Sequence, residues 1–211
     1  MDHPEYLHHM GIDVWHERKV APADENAAAW KDLKARVEAC TACPLHKTRT
    51  HAVFGVGNQQ ADLLLIGEAP GQQEDLKGEP FVGRAGQLLN NILRAINLNR
   101  EDIYIANILK SRPPGNRDPL PEEVTACTPF LLEQIALIKP KLIVSLGRIS
   151  AQFLLNTTTP LGKLRKQEFH YSEMKIPLLV TYHPAYLLRA PLEKRKAWED
   201  WQLIRDRLKE N

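Results

Sequence analysis

The sequence predicts a three-layer α/β sandwich around a central, four-stranded, mostly parallel sheet. Two observations carry that expectation: four short, mainly apolar runs recur along the chain, and a stretch of helical length and spacing follows each of them. Apolar runs without alternation suit strands buried on both faces. Strand–helix alternation with right-handed crossovers then gives a parallel sheet covered by helices above and below.

Taken in order, residues 1–26 read as an appendage and linker. They carry one apolar-aromatic cluster, Tyr6-Leu7 with Met10-Gly11-Ile12 and Trp15, then the turn-rich Ala21-Pro22-Ala23-Asp24-Glu25-Asn26. Residues 27–211 read as one domain. Ala27 to Ala39 has Trp30, Leu33 and Val37 on one helical face, and the pair Cys40 and Cys43 closes that helix. The predicted strands are Asp62–Ile66, Ile103–Ile108, Leu142–Leu146 and Leu178–Tyr182; the predicted helices are Gly86–Ile96, Pro121–Ile138, Arg148–Leu155 and Leu192–Lys209. Pro121-Glu122-Glu123 marks a helix start, with proline in the first turn and acids complementing the dipole.

Composition narrows the function classes. With 211 residues, 43% of them hydrophobic, the chain fills one core and is short for two full domains. Its 28 basic and 26 acidic residues leave a formal charge of +2, so nucleic-acid binding needs a local patch. No run approaches the roughly 20 apolar residues of a transmembrane helix. Met1 to Lys19 is polar and His-rich, unlike a signal peptide, and the expectation is a cytoplasmic monomer. Three cysteines argue against a disulfide framework and turn attention to metal binding or buried thiols.

The chemistry-bearing residues cluster after the strands. Gly67-Glu68-Ala69-Pro70-Gly71 follows the first, Lys110 to Asn116 the second, Gly147-Arg148 the third and His183-Pro184-Ala185 the fourth. All four loops leave the carboxyl ends of parallel strands, where open α/β sheets bind ligands. Taken singly, each has a plain reading: His183-Pro184 as a structural turn, Glu68 as a helix N-terminal acid, Phe81 as core. Asn107 resists it, because a carboxamide in a buried strand needs partners.

Three blocks carry a resemblance. They are Phe54-Gly55-x-Gly57-Asn58 with Leu64 to Gly71, Glu74-Asp75 and Pro80 to Gly86; Asn107 to Arg117; and Thr181 to Arg189. In order and spacing the chain resembles family 4 of the uracil-DNA glycosylases over about residues 37–205. The resemblance implies a uracil-DNA glycosylase-like fold that hydrolyses the N-glycosidic bond of uracil in DNA without a nucleotide cofactor, the first step of base excision repair. It implies a flipped base stacked on Phe81, read by Asn107, and met on its O2 side by His183, with Gly67, Ala69 and Asn116 lining the pocket. Glu68 and Glu74 belong to the loop that positions water and stabilises the cationic sugar; which of them matters more stays open. Leu187, Leu188 and Arg189 occupy the loop that enters the DNA groove.

The same resemblance implies a [4Fe–4S] cluster on four cysteines. Cys40, Cys43 and Cys127 fall on three of the four positions, and Ser111 stands at the fourth. Hydroxyl oxygen is a harder donor than the thiolate such clusters prefer. A serine-ligated, three-iron, labile or absent cluster all stay open, and His46 is a further nearby donor.

Lys163-Leu164-Arg165-Lys166 precedes the last strand on the side where that family meets DNA. Lys163 and Arg165, with Arg84, Arg112, Arg117 and Arg189, form a candidate phosphate-contacting set. Residues 5–18 are similar to the N-terminal peptide of the psi subunit of the DNA polymerase III clamp loader. That similarity implies clamp-loader proteins as partners and supports an alternative, in which the domain is a replisome interaction module with weakened catalysis. A short helix packing back on the domain is the other reading of that segment.

Overall fold

A computed structural model describes residues 25–171 and 175–210 of the chain. The peptide expected to meet the clamp loader lies outside the described residues. The first helix, α1, runs Glu25–Glu38, so it begins just inside the stretch expected as linker. There follow β1 (Val56–Gly57), β2 (Leu63–Gly67), α2 (Gln72–Lys77), α3 (Arg84–Ala95), β3 (Tyr104–Asn107), α4 (Pro121–Ile138), β4 (Leu142–Leu146), α5 (Arg148–Leu154), α6 (Leu161–Leu164), β5 (Phe169–Tyr171), β6 (Ile176–Thr181), α7 (Pro184–Arg189) and α8 (Lys194–Glu210).

The sheet has six strands in the order β1-β3-β2-β4-β6-β5. The four expected strands form its parallel centre; β1 and β5 add antiparallel edges. Both edges escape a sequence reading because two and three residues are too few to show a period. The expected last helix, from Leu192, is instead a 3₁₀ turn at Pro191–Glu193 followed by α8.

Alternate residues of each central strand feed different cores, as the strand period requires. Leu64, Ile66, Tyr104, Ala106 and Ile143 pack with Trp30, Leu33 and Val37 of α1 and Leu131 and Ile135 of α4. Leu63, Leu65, Ile105, Leu142 and Val144 pack on the other face with Leu89 and Leu93 of α3 and Trp201 and Ile204 of α8. This is the expected three-layer sandwich. Pro121 at the start of α4 and the Glu123 carboxylate, which accepts the Leu120 N–H at 2.8 Å, bear out the predicted helix start. Among the described residues no helix is long and apolar enough to cross a membrane.

Topology places the loops. β2 lies between β3 and β4, so the chain passes from one side of β2 to the other, and the two connections part at this point. A crevice opens there at the carboxyl ends of the strands.

Candidate active site

A cavity of about 650 Å³ occupies that crevice, walled by residues from all four loops: Glu68 to Gly71, Asn107, Gly147-Arg148 and Tyr182-His183. Glu74, Phe81, Asn116, Ala69 and Arg189 line it as well.

Asn107 is the last residue of β3 and pairs in register with Gly67, the last of β2. Its side chain is 2% exposed, and among the described residues its Oδ1 has no hydrogen-bond partner. A Cβ at Gly67 would lie 2.3 Å from that oxygen and 3.1 Å from the Phe81 ring, so glycine is what lets the two side chains meet there. A buried Lys110 steadies the backbone: its Nζ donates to Asn107 O at 2.8 Å and to Gln134 Oε1 at 2.6 Å. Burial pushes the Lys110 ammonium down to about 7.

His183 caps α7. Its Nδ1 accepts the Ala185 N–H at 3.1 Å, which requires that nitrogen to be unprotonated and leaves the ring proton on Nε2. Burial pushes the imidazole down to about 4, Arg189 adding to the effect and Glu74 opposing it. The ring is therefore neutral near pH 7 and offers an N–H donor. It lies 5.4 Å, centroid to centroid, from Phe81 at a tilt of 32°.

The two glutamates differ. Burial pushes Glu68 up to about 7, with Asp118 raising it and Arg148 opposing. Glu74 instead spends Oε1 on two backbone donors, Val82 N at 2.9 Å and Gly83 N at 3.0 Å. Glu68 is thus poised to exchange a proton, while Glu74 holds the turn that carries Phe81. Asp118, paired at 2.8 Å with Arg148 beside Glu68, escaped the sequence reading because a charged loop pair has no local signature.

Some expected contacts need correction. Leu187 is fully buried in the core with Trp201 and Ile204, so it is unavailable to a DNA groove. The exposed side chains of α7 are Tyr186 and Arg189, and Leu188 is half-buried. Arg165 is buried too: it forks onto Asp200 at 2.7 and 2.8 Å and lies 4.4 Å over the Tyr182 ring, as a structural cation of the second core rather than a phosphate contact. Arg117 pairs with the buried Glu123, and Arg112 donates to Asn116 Oδ1 at 2.7 Å, so both order the loop after β3. Lys163 and Arg84 are exposed.

Cys127 is buried and Cys40 and Cys43 half-buried. Burial pushes the Cys127 thiol up, with the Lys110 backbone N–H opposing and Cys43 and Cys40 adding to the effect; among the described residues no group of three or more His, Cys, Asp or Glu side chains is placed to hold a metal ion. Ser111 is buried, and its hydroxyl accepts from Arg49 Nη1 at 3.0 Å; Arg49 also donates to Glu38 O at 2.6 Å.

Comparison with known proteins adds an independent line. Residues 54–202 match the family model of the uracil DNA glycosylase superfamily. The chain is 46% identical over 179 residues to the type-4 uracil-DNA glycosylase of Archaeoglobus fulgidus, covering 82% of this chain and 90% of that one. It is 47% identical over 158 residues to the type-4 enzyme of Thermotoga maritima, covering 74% and 82%. With the type-4 enzyme of Sulfurisphaera tokodaii it shares 41% over 181 residues, 82% of each chain.

Proposed function

The chain belongs to the uracil-DNA glycosylase superfamily, and from that premise we infer that it hydrolyses the N-glycosidic bond joining uracil to deoxyribose in DNA. One observation carries the reading to the site: the buried carboxamide of Asn107, its oxygen unpartnered among the described residues, lines a cavity that also holds neutral His183 and Glu68.

A base reaches such a cavity only by leaving its stack. The Phe81 ring covers one face of the uracil. Asn107 presents an acceptor to N3–H and a donor to O4, a pair that cytosine, with the opposite pattern on that edge, does not satisfy. As the C1′–N1 bond breaks, its electron pair moves onto uracil and charge gathers at O2, where His183 Nε2–H donates. A neutral, preorganised donor at developing charge lowers the barrier with little reorganisation. Glu68, about half ionised near pH 7, takes a proton from the water whose oxygen bonds to C1′. The products are an abasic sugar and a uracil anion that collects a proton from solvent.

Single-turnover uracil release from an oligonucleotide tests this reading. Asn107→Ala and His183→Ala each lose roughly 100- to 1,000-fold in rate, the range for removing a transition-state donor, while retaining wild-type circular dichroism. Equal background release from all three proteins would sink the assignment.

The four-cysteine cluster that the family resemblance implies meets a mismatch in this chain. Among the described residues no three potential ligands gather to hold a metal ion, and the fourth position presents a buried serine hydroxyl already engaged by Arg49. That donor set does not fit a four-thiolate cradle, and no step above passes through a cluster. Arg84, Lys163, Leu188 and Arg189 remain the proposed DNA contacts. A cytoplasmic monomer is the proposed state. A clamp-loader partner for residues 5–18 is proposed on sequence similarity, and a pull-down with that peptide checks it.

A further inference from the structure

Phe81 sits at φ 53°, in the left-handed region that bulky side chains rarely occupy. Such a backbone persists only where its surroundings over-determine it. Here the turn is gripped from two sides. Arg100, in a 3₁₀ turn just before β3, donates Nη1 to Phe81 O at 3.3 Å and Nη2 to Pro80 O. Glu74 takes the next two N–H groups, of Val82 and Gly83. Gly86 makes the fold-back sterically feasible, since a Cβ there would lie 1.7 Å from Phe81 O.

We propose that Arg100 is a positioning residue for uracil recognition, locking the left-handed backbone of Phe81 through two successive carbonyls so that the ring faces Asn107 and His183. The inference rests on the uracil reading of the cavity. Two consecutive carbonyls call for two donors in fixed relation, which a guanidinium fork supplies and a lysine ammonium does not. Burial lowers the Arg100 pKa, and the nearby Glu79, Glu101 and Glu74 carboxylates oppose that, keeping the fork charged where it grips. Released from the fork, Phe81 relaxes to negative φ and its ring leaves the wall that it forms beside Gly67 and His183.

The test is a double-mutant cycle of single-turnover uracil release with Arg100→Met, Phe81→Leu and the pair, together with a crystal structure of Arg100→Met. Arg100→Met is expected to slow release by about 10- to 100-fold, the scale of a roughly 1 Å misplacement. The pair should be no slower than Phe81→Leu alone, within about twofold, because Arg100 acts only through that ring. Arg100→Lys should recover part of the loss. The crystal structure should show Phe81 at negative φ with its ring withdrawn from His183. Multiplying effects in the cycle, or a Phe81 that keeps its φ and ring contact in the variant, would overturn the proposal. If Arg100→Met does not fold, Arg100→Lys, which keeps the charge and loses the fork, takes its place in both experiments. Absence of uracil release by the wild type would instead overturn the functional reading, and the crystal structure would still decide the role of Arg100.

Discussion

Glu68 and His183 are displaced from their ordinary pKa values in opposite directions by the same cause, burial against one cavity. That fixes the sign of a pH profile. His183, near 4, keeps its Nε2–H across the neutral range, whereas Glu68 becomes a carboxylate as pH rises through about 7. Uracil release under single-turnover conditions should therefore climb with pH to a half-maximum near 7 and then level off. Glu68→Gln should flatten that limb and lower the plateau by about 100-fold or more, within the range of general-base catalysis; a limb that persists in Glu68→Gln assigns it to another group. The raised carboxylate could not be read in the sequence, because Glu68 and Glu74 look alike until burial and backbone donors separate them.

Elements show where the local pattern suffices and where it fails. The strands β2, β3, β4 and β6 and the helix α4 were legible, since an apolar run or a proline start is a property of consecutive residues. The short α7 was not: Leu187-Leu188-Arg189 reads equally well with either face outward, and packing against α3 in the core that also holds Trp201 buries Leu187. Arg165 and Asp200 lie 35 residues apart, and their pairing joins α6 to α8 beneath β6. Thr181 Oγ1 donates to the same carboxylate at 2.8 Å. Asp200→Ala leaves a buried guanidinium without its charge partner and should cost about 3–5 kcal/mol of stability, measured by urea unfolding. At the end of β2, Gly67→Ala should cut uracil release sharply with a smaller loss of stability, because the added methyl collides with Asn107 Oδ1 and the Phe81 ring rather than with the sheet.

For the whole molecule, none of the three cysteines lines the catalytic cavity, and the segment Asn107 to Ser111 runs from the cavity wall to the buried serine held by Arg49. Ser111→Cys supplies the missing thiol and removes the acceptor of Arg49. Iron and acid-labile sulfide per chain, measured on protein purified without oxygen, should rise in Ser111→Cys above the wild type, as thiolate preference predicts. Equal iron in the two proteins would show that the serine does not limit assembly.

The sequence by itself determined the layered α/β class, the order of the central elements, and the gathering of Glu68, Asn107 and His183 at one sheet edge. These follow from runs of neighbouring residues and from the rule that parallel strands present their carboxyl ends together. Tertiary structure decided which carboxylate can move a proton, which nitrogen of His183 carries one, that Arg165 is buried and paired, and that Phe81 is held in a left-handed turn by Arg100 and Glu74. Each depends on burial and on contacts between segments distant in the chain, and no local pattern of residues records either.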